Sequence, residues 1–363
     1  MSHAILPEPP PSLAIDWPDA RRQTDFTHWL AALAPQQSLV IDSLRLASAD
    51  ASFRRYFRID SDRGCRIIMD APPDKENCAA FVKVAALMRQ AQVHAPEVLA
   101  WDEAKGFMLL TDLGAQTMMQ AIDHDDAQAN RGLYSQAIDA LIAWQTASTA
   151  GVLPPYDQAL LQRELALFPD WYLARHRQIA VEGEVRRTLD NVFAMITAQN
   201  LAWPSVYVHR DFMPRNLMMS SAPGAPTRLG VLDFQDAVYG PITYDIASLM
   251  RDAFLSWDED FVLDITIRYW QRARKAGLPV GNDFGEFYRG VEWMGLQRHL
   301  KVAGIFSRLT LRDGKPQYLA DTPRFVGYIL ATCSRYRELK PLLRLIERVE
   351  GLEPVSGYAF GKI

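Results

Sequence analysis

The spacing of hydrophobic positions changes several times along the N-terminal part of the chain. Residues 24–34 carry apolar side chains at helical spacing, which predicts a helix. Residues 39–70 instead show short apolar runs divided by turn-forming stretches, a pattern typical of a small antiparallel sheet. A helix with an acidic first turn is predicted over 74–92, and a further hairpin over 98–110.

The pattern changes again after an extended stretch at 111–114, which ends in a glycine. Beyond it the hydrophobic spacing is mainly helical, and short strands are predicted only around residues 208–234. We therefore predict an α+β fold of two lobes. The boundaries are a Pro-rich, flexible leader over 1–23, a small β-rich N-lobe over 24–113 and a larger helical C-lobe over 114–363.

Composition and charge narrow the function classes. A net charge of -4 gives no electrostatic reason to expect a nucleic-acid partner. The three cysteines, Cys65, Cys78 and Cys333, are scattered and lack metal-binding spacing, which predicts reduced thiols in an intracellular protein. No apolar run approaches the ~20 residues of a membrane span, and the N-terminus lacks a signal pattern. We expect a cytoplasmic protein without a membrane partner.

The candidate chemistry lies in two short motifs. Residues 208–216 read Val-His-Arg-Asp-Phe-Met-Pro-Arg-Asn, and Asp233 follows a short apolar strand. Phosphoryl transfer needs one carboxylate to orient the attacking hydroxyl and accept its proton, and oxygen ligands to hold Mg²⁺ against the ATP phosphates. Asp211 is therefore the candidate base, and Asn216 and Asp233 are the candidate Mg²⁺ ligands. The alternative makes both Asp residues turn formers and His209 a core histidine, which requires three coincidences.

The sequence after Asp233 argues against a protein kinase. Those enzymes follow the metal-binding Asp with Phe-Gly and a long activation segment. Here Phe234 continues into Gln235 and Asp236, and Asp245 comes soon afterwards. This spacing leaves no room for a peptide-docking segment, so a small-molecule acceptor is predicted.

These motifs, with a Gly-Pro pair at 240–241 and an Asp-Ile-Ala run at 245–247, resemble the aminoglycoside phosphotransferase family over residues 35–340. The resemblance implies a protein-kinase-like fold with ATP and Mg²⁺ as cofactors. It also implies that Asp245 braces the catalytic loop at the start of a helix. A plain helix N-cap is the alternative for Asp245.

The same resemblance implies where the nucleotide binds. Adenine is expected at the backbone of Thr111, Asp112 and Leu113. The loop over 48–52 is expected near the phosphates, with Ser52 and the following Phe53 among the nucleotide-binding residues. Kinases have glycines in this loop, whereas here the loop has none and carries small Ser and Ala residues instead.

A second departure from the kinase pattern concerns the phosphate-pairing lysine. The third predicted strand has Met69 at that position, and a thioether cannot donate a hydrogen bond to phosphate. Arg54 or Arg55 is predicted to supply the cation, although both could be solvated strand residues. Glu76 is either the partner of that cation or an acid that complements the helix dipole.

A narrower resemblance bears on the substrate. Segments 51–58, 69–73 and 295–302 are similar to the bacterial anomeric kinases of peptidoglycan recycling. This implies transfer of phosphate to the C1 hydroxyl of N-acetylmuramate and N-acetylglucosamine, with an amino sugar as the small-molecule partner. Two alternatives stay open. The first is a kinase of an aminoglycoside or amino alcohol. The second is a pseudokinase-like binding module, and the missing lysine is the only feature that supports it.

Aromatic residues of the predicted C-lobe are candidates for stacking on the sugar. Trp293 is the one we assign, with Trp257, Tyr269 and Trp270 as further candidates, whereas core packing is the alternative for aromatics at helical spacing. We also assign Asp236 to the sugar site.

Basic residues form the other part of the predicted sugar site. Arg298, His299 and Lys301 share one predicted helix and could meet the lactyl carboxylate of N-acetylmuramate, while a solvated basic face is the alternative. Arg210 and Arg215 flank the candidate base. They are expected either to stabilise the transferring phosphoryl group or to brace the loop.

Overall fold

The computed structural model of the protein describes residues 15, 17, 19–49, 53–220 and 228–352, and these divide into two compact units. The first unit holds the described residues up to Gln90, with 94–115 and 218–235. The second holds 91–93, 116–217 and the described residues from Asp236 onwards.

A five-stranded antiparallel sheet forms the centre of the first unit, with the strand order β1-β2-β3-β5-β4. The strands are β1 (Leu39–Ala49), β2 (Arg55–Ser61), β3 (Arg66–Asp70), β4 (Val98–Asp102) and β5 (Phe107–Thr111). The predicted small antiparallel sheet is therefore present. The connection between β2 and β3 is a tight turn at residues 61–64, in which the N–H groups of Ser61 and Gly64 each donate to the carbonyl of the other residue.

Helix α1 (Ala20–Gln37) covers part of this sheet. Its buried Phe26 lies 5.4 Å, between ring centroids, from both Phe57 of β2 and Phe107 of β5. The side chain of Asp19 caps the helix by accepting a hydrogen bond from the Arg22 N–H. The helix begins at Ala20, earlier than the predicted 24, because this cap lies outside the apolar repeat that marked the helix.

Helix α2 (Cys78–Gln90) begins later than the predicted 74. The N–H groups of Lys75 and Glu76 both donate to the carbonyl of Pro72. This segment, expected to be the first turn of the helix, therefore forms a separate turn before it. The side chain of Asn77 then accepts from the N–H of Ala80 at 3.2 Å. Glu76 therefore precedes the helix and its side chain is available to the strands.

A short hairpin completes the first unit and leads to Asp233. It consists of β7 (Leu217–Ser220) and β8 (Arg228–Val231). The Val231 N–H donates to the carbonyl of His94 at 2.7 Å, and the ring of Phe234 packs against Phe81 of α2 at 4.8 Å. These contacts fix both sides of Asp233.

The second unit is mainly helical, as predicted. Its helices are α3 (Met118–Ala121), α4 (Arg131–Thr146), α5 (Gln158–Leu167), α6 (Gly183–Leu201), α7 (Thr243–Met250), α8 (Glu259–Lys275), α9 (Phe284–Leu311), α10 (Thr322–Arg335) and α11 (Lys340–Glu350). A π-helix, Phe168–His176, follows α5. The strands β6 (Ser205–Val208) and β9 (Val238–Pro241) pair antiparallel.

The 28-residue helix α9 lies in the core of the second unit. Its apolar side chains pack with those of the π-helix, α6, α10 and α11. Among the described residues, no helix combines the length and the apolar character needed to cross a bilayer.

Candidate active site

The catalytic loop of the second unit begins where β6 ends. Val208 pairs with Val238 of β9, and β9 leads almost directly into α7. This connection brings Asp245, in the first turn of α7, under the loop. Its carboxylate accepts hydrogen bonds from the N–H groups of His209 at 2.7 Å and Arg210 at 3.0 Å. The expected bracing of the catalytic loop by Asp245 is confirmed.

The N-cap alternative for Asp245 is wrong. Helix α7 begins at Thr243, its N-cap is Ile242, and Asp245 lies inside the first turn. The carboxylate is fully buried. Burial raises the pKa of Asp245, while His209 and the two amide donors favour its ionised form. A buried carboxylate of this kind stabilises a loop because it satisfies two backbone donors at once.

The backbone of the loop is strained next to the candidate base. Arg210 has a φ of 80°, a region that side chains other than glycine seldom adopt. Asp233, in the first unit, has a φ of 63°. Such conformations cost roughly 1–3 kcal/mol each and persist only where surrounding contacts hold them, often at active sites.

Asn216 lies at the end of a short 3₁₀ turn, Pro214–Asn216. Its amide nitrogen Nδ2 donates to the main-chain carbonyl of Asp211 at 2.9 Å. The bond closes the loop between the candidate base and the candidate metal ligand. Arg215 is exposed and its guanidinium stacks over Phe254 at 4.1 Å.

The side chain of Arg210 has a partner of its own, separate from Asp245. Its guanidinium donates to Oε1 of Glu164 in α5 at 2.6 Å. Of the two roles predicted for Arg210, bracing therefore has a contact to support it. Sequence reasoning missed Glu164, since a lone glutamate in a helical pattern carries no motif.

Asp233 and its neighbours can be described within the first unit. The carboxylate of Asp233 accepts from Nε2 of Gln235 at 2.8 Å. Asp236, in the second unit, is exposed. Its place in the sugar site stays a prediction.

The candidates for the phosphate contact differ in their surroundings. Nε of Arg54 lies 3.2 Å from Oε2 of Glu76, and the N–H of Phe53 donates to Oε1 of the same residue. Glu76 is therefore the partner of Arg54, which is one of the two roles predicted for it. Burial opposes the charge of Arg54, but Tyr56, Glu76 and Asp233 outweigh it and raise its pKa. Phe53 is 65% exposed.

Arg55 is engaged elsewhere. Its Nε donates to Oδ2 of the buried Asp70 at 3.0 Å, and its guanidinium lies 4.3 Å from the ring of Trp17. Arg22 donates to the other carboxylate oxygen of Asp70 at 3.0 Å. Arg55 is thus one of two arginines paired with the buried Asp70, whereas Arg54 is the arginine close to Glu76. Ser52 lies outside the described residues.

The stretch predicted to hold adenine makes several internal hydrogen bonds. The N–H of Thr111 donates to the carbonyl of Glu97 at 3.1 Å, so this amide is not a donor for adenine. The carboxylate of Asp112 accepts from Nε of Arg58 at 2.6 Å and from the N–H of Gly114 at 2.9 Å. The side chain of Leu113 is buried.

The aromatic candidates turn out to be mainly structural. Trp293 is 2% exposed and packs in the helical core next to Tyr336, so the core alternative replaces its assignment to the sugar site. Tyr269 is likewise buried. Nε1 of Trp257 donates to the hydroxyl of Tyr134 at 2.6 Å, and Nε1 of Trp270 donates to a backbone carbonyl at 3.2 Å.

The three predicted sugar-site residues of α9, Arg298, His299 and Lys301, are buried, so the alternative of a solvated basic face is wrong. Nη1 of Arg298 donates to the carbonyl of Arg210 at 2.7 Å, and Nζ of Lys301 lies 2.8 Å from Oε1 of Glu164. The ring of His299 stacks on Tyr328 at 4.5 Å, and burial lowers the pKa of His299 to about 3. Arg298 and Lys301 therefore lie beneath the catalytic loop, and a contact of either with substrate stays a prediction.

Comparison with known proteins identifies the family. The model of the phosphotransferase enzyme family matches residues 43–280, more than half of the chain. The chain belongs to this family. The predicted relationship is confirmed, and with it an enzyme of the phosphotransferase class.

Relatives within the family cover most of the chain. It is 46% identical over 343 residues to an N-acetylmuramate/N-acetylglucosamine kinase of Neisseria meningitidis. The aligned region covers 94% of this chain and 100% of that protein. It is 49% identical over 300 residues to a protein of the same name from Pseudomonas aeruginosa, covering 83% and 86% of the two chains.

A solved structure shows the fold. The chain is similar to an ADP-bound aminoglycoside phosphotransferase, APH(2'')-Ib, with a TM-score of 0.55, 14% identity, and coverage of 85% of this chain and 97% of that one. At this identity the likeness concerns the fold alone. The predicted kinase-like α+β fold class is confirmed.

The donor set of the family motifs fits the cofactors of a phosphotransferase. Carboxylate and amide oxygens are the ligands that Mg²⁺ prefers in proteins, and Asp233 and Asn216 carry them. The arginine–glutamate pair of Arg54 and Glu76 provides a cation of the kind that phosphate groups need.

Proposed function

We propose that the chain is an ATP- and Mg²⁺-dependent kinase that phosphorylates the C1 hydroxyl of N-acetylmuramate and N-acetylglucosamine in cell-wall recycling. The observation that carries the proposal is the match, over almost the full length of both proteins, to a relative named for these two sugars. The braced loop before Asp211 supports it from the structure. A cytoplasmic location and an amino sugar as partner belong to the same proposal.

We assign the role of general base to Asp211. In the proposed step its carboxylate orients the C1 hydroxyl of the sugar and takes the hydroxyl proton. The sugar oxygen forms a bond to the γ-phosphorus as the bond to the ADP oxygen breaks. Mg²⁺, held by Asn216 and Asp233, would neutralise the phosphate charge that develops in this step.

Positioning is the protein's main contribution to such a reaction. The bonds from His209 and Arg210 to Asp245, and from Asn216 to the carbonyl of Asp211, hold the loop on both sides of the base. We assign the phosphate contact to Arg54, with Glu76 as its partner, because Arg55 is already bound to Asp70.

We expect the two arginines to give different phenotypes when each is replaced by alanine. Arg54→Ala should lower kcat/KM for ATP by roughly 10- to 150-fold, the equivalent of a lost charged hydrogen bond of about 1.5–3 kcal/mol. Arg55→Ala should instead lower the thermal unfolding temperature, because Asp70 loses one of its two arginine partners.

Steady-state kinetics and thermal unfolding of both variants measure these effects, with each as the control for the other. Unchanged kinetics in Arg54→Ala and in Arg55→Ala would place the cation elsewhere in the sequence, with Lys75 and Lys83 as the next candidates.

The acceptor is tested by one coupled assay of ADP release with N-acetylmuramate, N-acetylglucosamine, choline and kanamycin. We expect turnover with the two amino sugars, and ³¹P and proton spectra of the products should show a phosphate at C1. Turnover with choline or kanamycin alone would favour the rival small-molecule kinases. Binding of Mg²⁺·ATP without turnover on any acceptor would favour the pseudokinase-like module.

A further inference from the structure

A buried glutamate lies at the centre of a charged cluster beneath the catalytic loop. Glu164, in α5, is 5% exposed, and its carboxylate binds Arg210 at 2.6 Å and Lys301 at 2.8 Å. Nε2 of Gln297 donates to it at 3.0 Å, and the hydroxyl of Tyr156 donates to it as well. Burial alone would raise the pKa of Glu164, but Lys301 and Arg210 hold it at about 2. The carboxylate is therefore charged and fully engaged.

Arg210 is held through three separate groups. Its N–H donates to Asp245, its carbonyl accepts from Arg298 at 2.7 Å, and its guanidinium donates to Glu164. The residue has a φ of 80° and directly precedes Asp211. A conformation of this kind persists only where its surroundings fix it, so these contacts determine the direction in which the chain enters Asp211.

Helices α7 and α9 complete the cluster. Nζ of Lys301 lies 3.3 Å from the hydroxyl of Tyr244, and the guanidinium carbon of Arg298 lies 4.8 Å from the ring of the same tyrosine. Tyr244 directly precedes Asp245, the brace of the loop. Charged side chains of α5 and α9 thus contact the loop residue Arg210, and those of α9 also contact the tyrosine next to the brace of the loop.

We propose that Glu164 is a positioning residue for phosphoryl transfer, which holds the Arg210 side chain so that the carboxylate of Asp211 keeps its orientation toward the acceptor hydroxyl. The inference rests on the proposed function. Without the charge of Glu164, Arg210 and Lys301 would lose the carboxylate that both of them contact, so the guanidinium is expected to move. A shift of about 1 Å at a catalytic group can cost on the order of 10²-fold in rate.

Glu292 offers a matched control. It is also a buried glutamate of the second unit, and its carboxylate accepts from an arginine and a tyrosine, Arg335 and Tyr336. None of these contacts involves the catalytic loop. Replacement of either glutamate by glutamine removes a buried carboxylate that accepts from an arginine and a tyrosine, so a purely structural role predicts no difference in kcat between the two variants.

The experiment compares Glu164→Gln and Glu292→Gln by thermal unfolding and by steady-state kinetics with both amino sugars. We expect both variants to unfold at lower temperatures. Glu164→Gln should lose about 10²-fold in kcat while the KM values for ATP and sugar change only a few-fold. Glu292→Gln should keep the wild-type kcat. A kcat of Glu164→Gln within a few-fold of wild type, or an equal loss in both variants, overturns the positioning role.

Lys301→Met provides a second variant that leaves Glu164 paired with Arg210. We expect Lys301→Met to lose less kcat than Glu164→Gln, and to lose it equally with N-acetylmuramate and N-acetylglucosamine. In the double variant, the fold-loss of kcat should be smaller than the product of the two single fold-losses. A loss confined to N-acetylmuramate would instead make Lys301 a contact of the lactyl carboxylate and overturn its part in positioning the loop. If wild type turns over neither sugar, the proposed function fails and the inference fails with it, whereas the other contrary outcomes overturn the inference alone.

Discussion

Replacement of Asp211 by asparagine is expected to lower turnover by about 10²–10⁴-fold, the usual contribution of a general base, while the affinity for nucleotide stays near that of wild type. The amide keeps the size of the side chain but cannot accept the proton of the acceptor hydroxyl. The loop should keep its form because Asn216 binds the main-chain carbonyl of residue 211, which the substitution leaves in place. Steady-state kinetics with N-acetylglucosamine and calorimetric titration with ATP measure the two quantities.

Asp190→Asn is a suitable control, since Asp190 is an exposed carboxylate of α6 that pairs with Arg186 on the surface. It should behave as wild type. Turnover of Asp211→Asn within a few-fold of wild type would remove Asp211 from the role of base.

The parts of the fold that depend on local sequence were predicted well. The strands of the small sheet and the helical character of the second unit follow from apolar spacing over short windows. The start of α2 was misplaced because a turn at Pro72 and a cap at Asn77 decide it, whereas the acidic residues in between suggested a first helical turn. Hydrogen bonding of the backbone outweighed the charge pattern there.

The catalytic loop was predictable because its residues lie close together in the sequence. Its support was not. Glu164 is 46 residues from Arg210 and 133 residues from Gln297, so no local pattern connects them. The basic residues of α9 were open to a solvated interpretation because the sequence does not show their buried partners. One signal was available: Lys301 is the only polar residue of the run 300–306, and a solvated face would not require apolar residues on both sides of it in the sequence.

The sequence was also insufficient to decide which residue supplies the phosphate-binding cation. The absence of a lysine at Met69 was clear from the sequence, and two adjacent arginines were equal candidates. The structure distinguishes them because Arg55 lies in β2 beside Asp70 of the neighbouring strand, in register. Arg54, just before the strand, is left to pair with Glu76. The choice depends on strand register, which the sequence alone does not determine.

Loss of the Asp233 carboxylate is expected to abolish the dependence of ATP binding on Mg²⁺. Asn216 alone cannot anchor an ion that must stay on the phosphates through the reaction, since Mg²⁺ in kinases needs at least one carboxylate. The backbone complicates the usual alanine variant. Asp233 has a φ of 63°, which alanine tolerates poorly and asparagine tolerates well.

Asp233→Ala and Asp233→Asn together therefore separate the charge from the strain. In Asp233→Asn the side-chain oxygen can still accept from Gln235, so the local structure should persist while the metal ligand loses its charge. Calorimetric titration with ATP, with and without Mg²⁺, is the measurement. We expect Mg²⁺ to strengthen binding to wild type and to have no effect on either variant. If Asp233→Asn keeps the effect of Mg²⁺ and only Asp233→Ala loses it, the carboxylate is not the metal ligand, because backbone strain then accounts for the loss.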